Sequence, residues 1–245
     1  MHETLVIRDV CHDYRIWGPH QAASNTGQSL IILDWDDTLQ PTSWMVTKGL
    51  LSESGAILST GSLELFDQIC TSVIVLLEFA RTLGRVMIIT NSGDKWVDDC
   101  VEKFMPRLKP HLKGIDVLSA RHFYEQFYVK RPEMWKVKAF KMQVYYTFGA
   151  SSSVQRNVIS IGDGLHERMA LMSIKGINTY AKSVKLVPAP TPAMVIKQID
   201  FIGNFLKGIV EHKGDLDLAI DTLPNMKENV GPVETPGNPA EAKVF

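Results

Sequence analysis

The stretch Leu30-Ile31-Ile32-Leu33-Asp34-Trp35-Asp36-Asp37-Thr38-Leu39 constrains this chain more than any other. Its opening apolar run suits a strand buried on both faces of a sheet. Carboxylates and a threonine follow at once. In open α/β sheets, ligands bind at the carboxyl ends of strands. Clustered acids repel one another. A hard cation such as Mg²⁺ would relieve that repulsion, because carboxylate oxygens are its preferred protein ligands.

The rest of the chain repeats the alternation. Apolar runs at Val86–Ile89, Ile115–Leu118, Val158–Ile161 and Val184–Val187 predict strands. Between them, helices are predicted over Ser62–Leu83, Asp94–Leu108, Glu133–Tyr146, His166–Ser173 and Ala193–Val210. Gly84 stops the first of these and Pro132 stands just ahead of the third. Strands alternating with helices imply βαβ units and a parallel sheet. Residues 1–29 read as an N-terminal extension, a hairpin on the core followed by a polar loop. The core domain is read as 30–211. Residues 212–245 read as a C-terminal extension, expected to be flexible from about 222, where the chain becomes rich in Pro, Glu, Asn and Gly.

Composition excludes some classes. The chain has 245 residues, 26 basic and 27 acidic, for a net charge of −1. It carries no basic surplus of the kind that nucleic acid or an anionic membrane selects. The longest apolar stretch, Val73–Leu77, is too short to span a bilayer. The opening Met1-His2-Glu3-Thr4 lacks the pattern of a signal peptide. Cys11, Cys70 and Cys100 are odd in number and widely spaced, which suits reduced thiols and predicts a cytoplasmic protein.

Asp34-Trp35-Asp36-Asp37-Thr38 after a buried strand resembles the first motif, Asp-x-Asp-x-Thr, of the haloacid-dehalogenase-like (HAD) superfamily. The other motifs follow in order. Thr90-Asn91 closes a second apolar run. Lys136 and Lys138 stand at the start of a predicted helix. Gly162-Asp163 ends a later strand, with Glu167 four residues on. The resemblance covers about residues 30–190. It implies a Rossmann-like three-layer sandwich with a central, mostly parallel sheet.

It also implies roles. Asp34 would attack phosphorus and form an aspartyl-phosphate. Asp36 would be general acid and base; dehalogenase members lack this second Asp. Thr90, with Asn91 beside it, would hold the phosphoryl oxygens. Lys136, in the first turn of its predicted helix and preferred over Lys138, would offset the charge on Asp34 and substrate. Mg²⁺ would sit on the Asp34 side chain, the Asp36 carbonyl, Asp163 and Glu167. Many members have Asp where this chain has Glu167, one methylene longer.

Two connections, Gln40 to about Gly61 and Ala120 to Pro132, are where such proteins insert cap domains. Both are too short to hold a folded cap with its own core. An uncapped site favours a macromolecular substrate, a phosphoprotein before a nucleic-acid end. Trp35, Trp44 and Trp96 lie near site motifs and read as packing residues before a substrate-gripping rim. The expected activity is a Mg²⁺-dependent phosphohydrolase. The alternative is a scaffold of the same fold that docks partners through its extensions.

Overall fold

A computed structural model describes residues 5–9, 29–51, 59–149, 155–176 and 178–222. Its elements are β1 (Leu5–Asp9), β2 (Ser29–Leu33), α1 (Thr42–Thr47), α2 (Thr60–Leu83), β3 (Arg85–Thr90) and α3 (Trp96–Phe104). A 3₁₀ turn at Pro106–Leu112 precedes β4 (Asp116–Ser119), α4 (Ala120–Tyr124) and α5 (Pro132–Phe148). Then come β5 (Arg156–Gly162), α6 (Leu165–Met172), β6 (Thr179–Lys185), α7 (Pro192–Glu211) and β7 (Leu216–Thr222).

The strands form one seven-stranded sheet in the order β1-β7-β6-β5-β2-β3-β4. All neighbours are parallel except β1, which runs antiparallel to β7. Alternate residues of β2 feed opposite faces, as a pleat requires. Ile31 and Leu33 pack with α2, α3 and α7, around Phe66, Val73, Leu77, Val101, Ile199 and Leu206. Leu30 and Ile32 pack with α4, α5 and α6, around Ala120, Phe140, Val144 and Leu171. Helices therefore cover both faces, and β2 is buried along its whole length. Burying each such aliphatic side chain stabilises the fold by roughly 1.5–3 kcal/mol.

Helix starts follow local chemistry. Ser59 caps α2 by accepting from the Ser62 N–H, and Thr191 caps α7 by accepting from the Met194 N–H. Pro132 and Pro192 occupy the first helical positions, where a missing N–H is harmless.

The structure departs from the sequence expectation at identifiable places. The helix expected over Asp94–Leu108 ends at Phe104, because Pro106 cannot continue it. The strand expected at Val184–Val187 instead spans Thr179–Lys185. Lys182 hid its beginning. This lysine is fully buried because its Nζ donates to Val210 O (2.8 Å) and His212 O (2.6 Å) at the end of α7. Strand β7 lies within the stretch read as a C-terminal extension, and β1 joins the same sheet from the N-terminal side. The flexibility expected beyond 222, the polar loop at 23–29 up to residue 28, and Cys11 lie outside the described residues.

Strands β3 and β4 stack outward on one side of β2, and β5, β6 and β7 on the other. The chain thus reverses its winding between β2 and β5. In open α/β sheets that switch point is where a ligand crevice opens, at the carboxyl ends of the strands.

Candidate active site

Asp34 follows β2 directly, and its N–H donates to Ile161 O of β5 (2.9 Å). Asp163 follows β5, and Glu167 sits in the first turn of α6. Ligand oxygens of Asp34, Asp163 and Glu167 all lie within 4.8 Å of one another. Lys136 reaches them from α5. Its Nζ stands 2.7 Å from Asp34 Oδ1 and pairs with Glu167 Oε1. It is 2% exposed, a burial that an ammonium tolerates only when paired. Lys138 points elsewhere, its Nζ 5.2 Å over the ring of Tyr128.

Glycines make room for this cluster. A Cβ on Gly162 would stand 3.0 Å from Glu167 Cδ, and one on Gly164 2.7 Å from Glu167 Oε2. Real Cβ atoms do not come so close, so Glu167 folds back over bare backbone.

Three carboxylates share one ammonium here, a net charge of −2 when all are ionised. The consequences divide among them. Burial disfavours the Glu167 carboxylate, but the Lys136 ammonium outweighs it and holds its pKa below the usual range. Burial also works against the Lys136 charge, and Asp34 and Glu167 together overcome it and hold the lysine protonated. For Asp34 the burial outweighs the lysine. Burial pushes the carboxyl up to about 8, with Lys136 opposing and Glu167 adding. Burial and the charges of Glu167 and Asp37 push Asp163 up to about 7.

Those residues suit a hard divalent cation. Glu167 Oε2 is buried without a hydrogen-bond partner among the described residues. A divalent charge would also cancel the excess of −2 and favour the ionised forms of Asp34 and Asp163.

Asp36 stands outside that group. Its Oδ1 accepts from Thr42 Oγ1 (2.7 Å) and Trp96 Nε1 (2.8 Å). Its Oδ2 accepts from Thr90 Oγ1 (2.9 Å) and Ser92 Oγ (2.7 Å). Thr90 also accepts from the Ser92 N–H (2.9 Å), so its hydroxyl holds Asp36 in place. The Asn91 amide donates to Pro132 O (3.2 Å), tying the end of β3 to the start of the helix that carries Lys136. Asp37 adopts a left-handed backbone (φ 54) and grips Ser43 through its N–H (2.8 Å) and hydroxyl, closing the turn that aims Asp34 and Asp36.

The motifs do not mark Thr42 or Ser92, and Trp96, expected to pack, instead donates to Asp36. Ser92 and Trp96 reach Asp36 from more than fifty residues away, which leaves no local pattern, and Thr42, six residues on, lies just after the motif. Trp35 is fully buried and Trp44 meets Phe66 edge-on, as packing residues do. No known family model matches the chain, and no curated protein matches it.

Proposed function

We propose that this protein is a Mg²⁺-dependent phosphohydrolase of the haloacid-dehalogenase type. The observation that carries the reading is the convergence of Asp34, Asp163 and Glu167 at the switch point of the sheet, with Asp34 and Glu167 paired to the buried Lys136. The motif order in the sequence supports it independently.

Asp34 Oδ attacks phosphorus, and the bond to the leaving oxygen breaks as the aspartyl-phosphate forms. Asp36 protonates that oxygen, then takes a proton from the water that cleaves the intermediate. Lys136 holds Asp34 in position and offsets charge on the transferring group. Asp34, Asp163 and Glu167 would hold Mg²⁺, which supplies charge neutralisation to carboxylates and phosphoryl oxygens.

The connections bordering the site carry only α1 and α4 among the described residues, and Phe127 and Val129 are exposed beside α5. An open rim of this kind supports a macromolecular phosphomonoester, a phosphoprotein in the first instance. No helix among the described residues is long and apolar enough to cross a membrane.

The test is hydrolysis of an aryl phosphate with and without Mg²⁺, in wild type and Asp34→Asn. Mg²⁺-dependent turnover is expected, falling by about a thousandfold or more when the nucleophile is lost. Absence of turnover together with absence of Mg²⁺-induced stabilisation would remove the metalloenzyme reading.

A further inference from the structure

Strand β4 ends the sheet, and no strand pairs with its outer side among the described residues. A strand turns its N–H and C=O groups alternately to its two sides, so half of those in β4 face away from β3. Exposed edges are commonly blunted by a charge. Here the charge, Asp116, is drawn onto Arg85 of β3 (2.5 Å), and Val117 is left 38% exposed. A cavity of about 300 Å³ lies along the same edge. Arg85, Met87, Asp116 and Leu118 line it from the sheet, and Gln143 and Tyr146 from α5.

The surface around this edge has its own character. Met142, Tyr145 and Tyr146 are exposed on α5, and Phe123 and Phe127 on the stretch that leaves the carboxyl end of β4. Apart from the buried Lys136, residues 120–149 carry five Lys or Arg against two Glu, in a chain of net charge −1. Both glutamates are paired, Glu125 with Arg121 and Glu133 with Arg131, which leaves Lys130, Lys138 and Lys141 as the surplus. An unpaired edge selects an extended chain. Aromatic side chains select apolar residues on that chain, and lysines select acids among them.

We propose that the β4 edge is a docking site for an acidic, extended segment of the substrate phosphoprotein, which adds as an eighth strand and presents its phosphorylated residue to the site. The inference rests on the phosphohydrolase reading above. Because β2, β3 and β4 are parallel, the carboxyl end of β4 opens on the same side of the sheet as Asp34. Neighbouring strands stand about 4.8 Å apart, so a strand added outside β4 runs about 14 Å from β2. An extended chain covers that span in about four or five residues. The stretch that begins at the end of β4 leads to Pro132, whose carbonyl accepts from Asn91 beside the site. Edge and site therefore share one border. A nucleic acid would use the aromatic rings and the lysines and leave the backbone edge unpaired, so a peptide fits more of this surface.

Turnover and binding test this separately. The probes are phosphoserine peptides with an alternating apolar and acidic stretch two or five residues from the phosphoserine, on either side, and the same peptides with proline in the stretch. The proteins are wild type, Val117→Glu and Tyr146→Ala, with 4-nitrophenyl phosphate as the reference substrate. In wild type the five-residue spacing should give a kcat/KM about tenfold above the two-residue spacing and the proline peptides, as loss of a few ladder bonds predicts. Each variant should remove that advantage, chiefly through KM, and keep turnover of 4-nitrophenyl phosphate within about twofold. Should Val117→Glu fail to fold by circular dichroism, Tyr146→Ala carries the same expectation from α5. Equal kcat/KM across the peptides, or equal falls on peptide and 4-nitrophenyl phosphate, would overturn the proposal. So would variants that spare the peptides and lose turnover of a 5′-phosphorylated oligothymidine, which would make the edge a nucleic-acid surface. A wild type inactive on every phosphate would overturn the phosphohydrolase reading. Fluorescence polarisation of the labelled peptides then decides the edge alone: binding at the five-residue spacing, lost with Val117→Glu, would support it, and absence of binding would overturn it.

Discussion

Lys136 holds together charges that would otherwise separate. Both Asp34 and Glu167 lean on it, and the three side chains are all nearly buried. Replacing it with Met keeps the volume and removes the ammonium. Two buried carboxylates then lose their partner, which costs about 3 kcal/mol. Lys136→Met is therefore expected to melt well below wild type in metal-free buffer. It should also gain more from Mg²⁺ than wild type does, since the cation becomes the only positive charge in the cluster. Melting curves with and without Mg²⁺ check both halves. The same cluster sets a pH dependence. Asp163 and Asp34 have folded pKa values raised to about 7 and about 8, above their unfolded values. Their neutral forms stabilise the metal-free fold below the unfolded pKa. That contribution is lost as pH rises through 7 and 8, where buried charge appears. Protons and Mg²⁺ compete for the same oxygens, so the Mg²⁺-induced rise in Tm should be small at pH 6 and larger at pH 8.5. A rise independent of pH would place the cation elsewhere.

At the scale of elements, what the sequence made legible depended on whether an element's apolar run was interrupted. Strands β2, β3 and β5 are unbroken runs buried on both faces, and the sequence placed each within about two residues. Strands β6 and β7 contain Lys182 and Asp217, charged residues whose burial is licensed only by distant partners. Their pairing is tertiary, so the local pattern places β6 late, at Val184–Val187, and leaves β7 within the C-terminal extension. The site divides the same way. Asp34, Lys136, Asp163 and Glu167 were found because each follows a strand or opens a helix. Of the donors to Asp36, Thr90 ends a strand and is marked by the motif, whereas Thr42, Ser92 and Trp96 converge from α1, the β3 loop and α3 without such a sign. Gly162 sits between these cases: the motif marked it, and the structure gives the reason. A Gly162→Ala methyl would meet Glu167, and either the side chain or the turn must move. Overpacking of this kind costs about 1–3 kcal/mol. The variant should fold with reduced Tm and show at least a severalfold weaker Mg²⁺ midpoint, read by titrating thermal stability.

Across the whole molecule, the last strand is linked to the site. Asp217 of β7 is buried and holds Arg168 of α6 through Nε (2.9 Å) and a second guanidinium nitrogen (2.5 Å). Arg168 is the residue after Glu167. The paired fork therefore clamps the helix that carries a candidate cation ligand onto a strand three places from β2 in the sheet. β7 is itself secured on its far side by β1, paired from Leu5↔Thr222 to Asp9↔Leu218. Strands outside the stretch that resembles a known family thus brace the helix that carries a candidate cation ligand. Asp217→Ala would remove the acceptor and leave Arg168 to turn toward solvent, its side chain being 39% exposed already. The loss should be about 2 kcal/mol of stability, within the range for hydrogen bonds to charged groups. A loosened α6 should also weaken Mg²⁺ binding severalfold, although Asp217 lies outside the candidate ligand set. If Asp217→Ala lowered Tm and left the Mg²⁺ midpoint unchanged, β7 would act on the core alone, and α6 would owe its orientation to its contacts with α5.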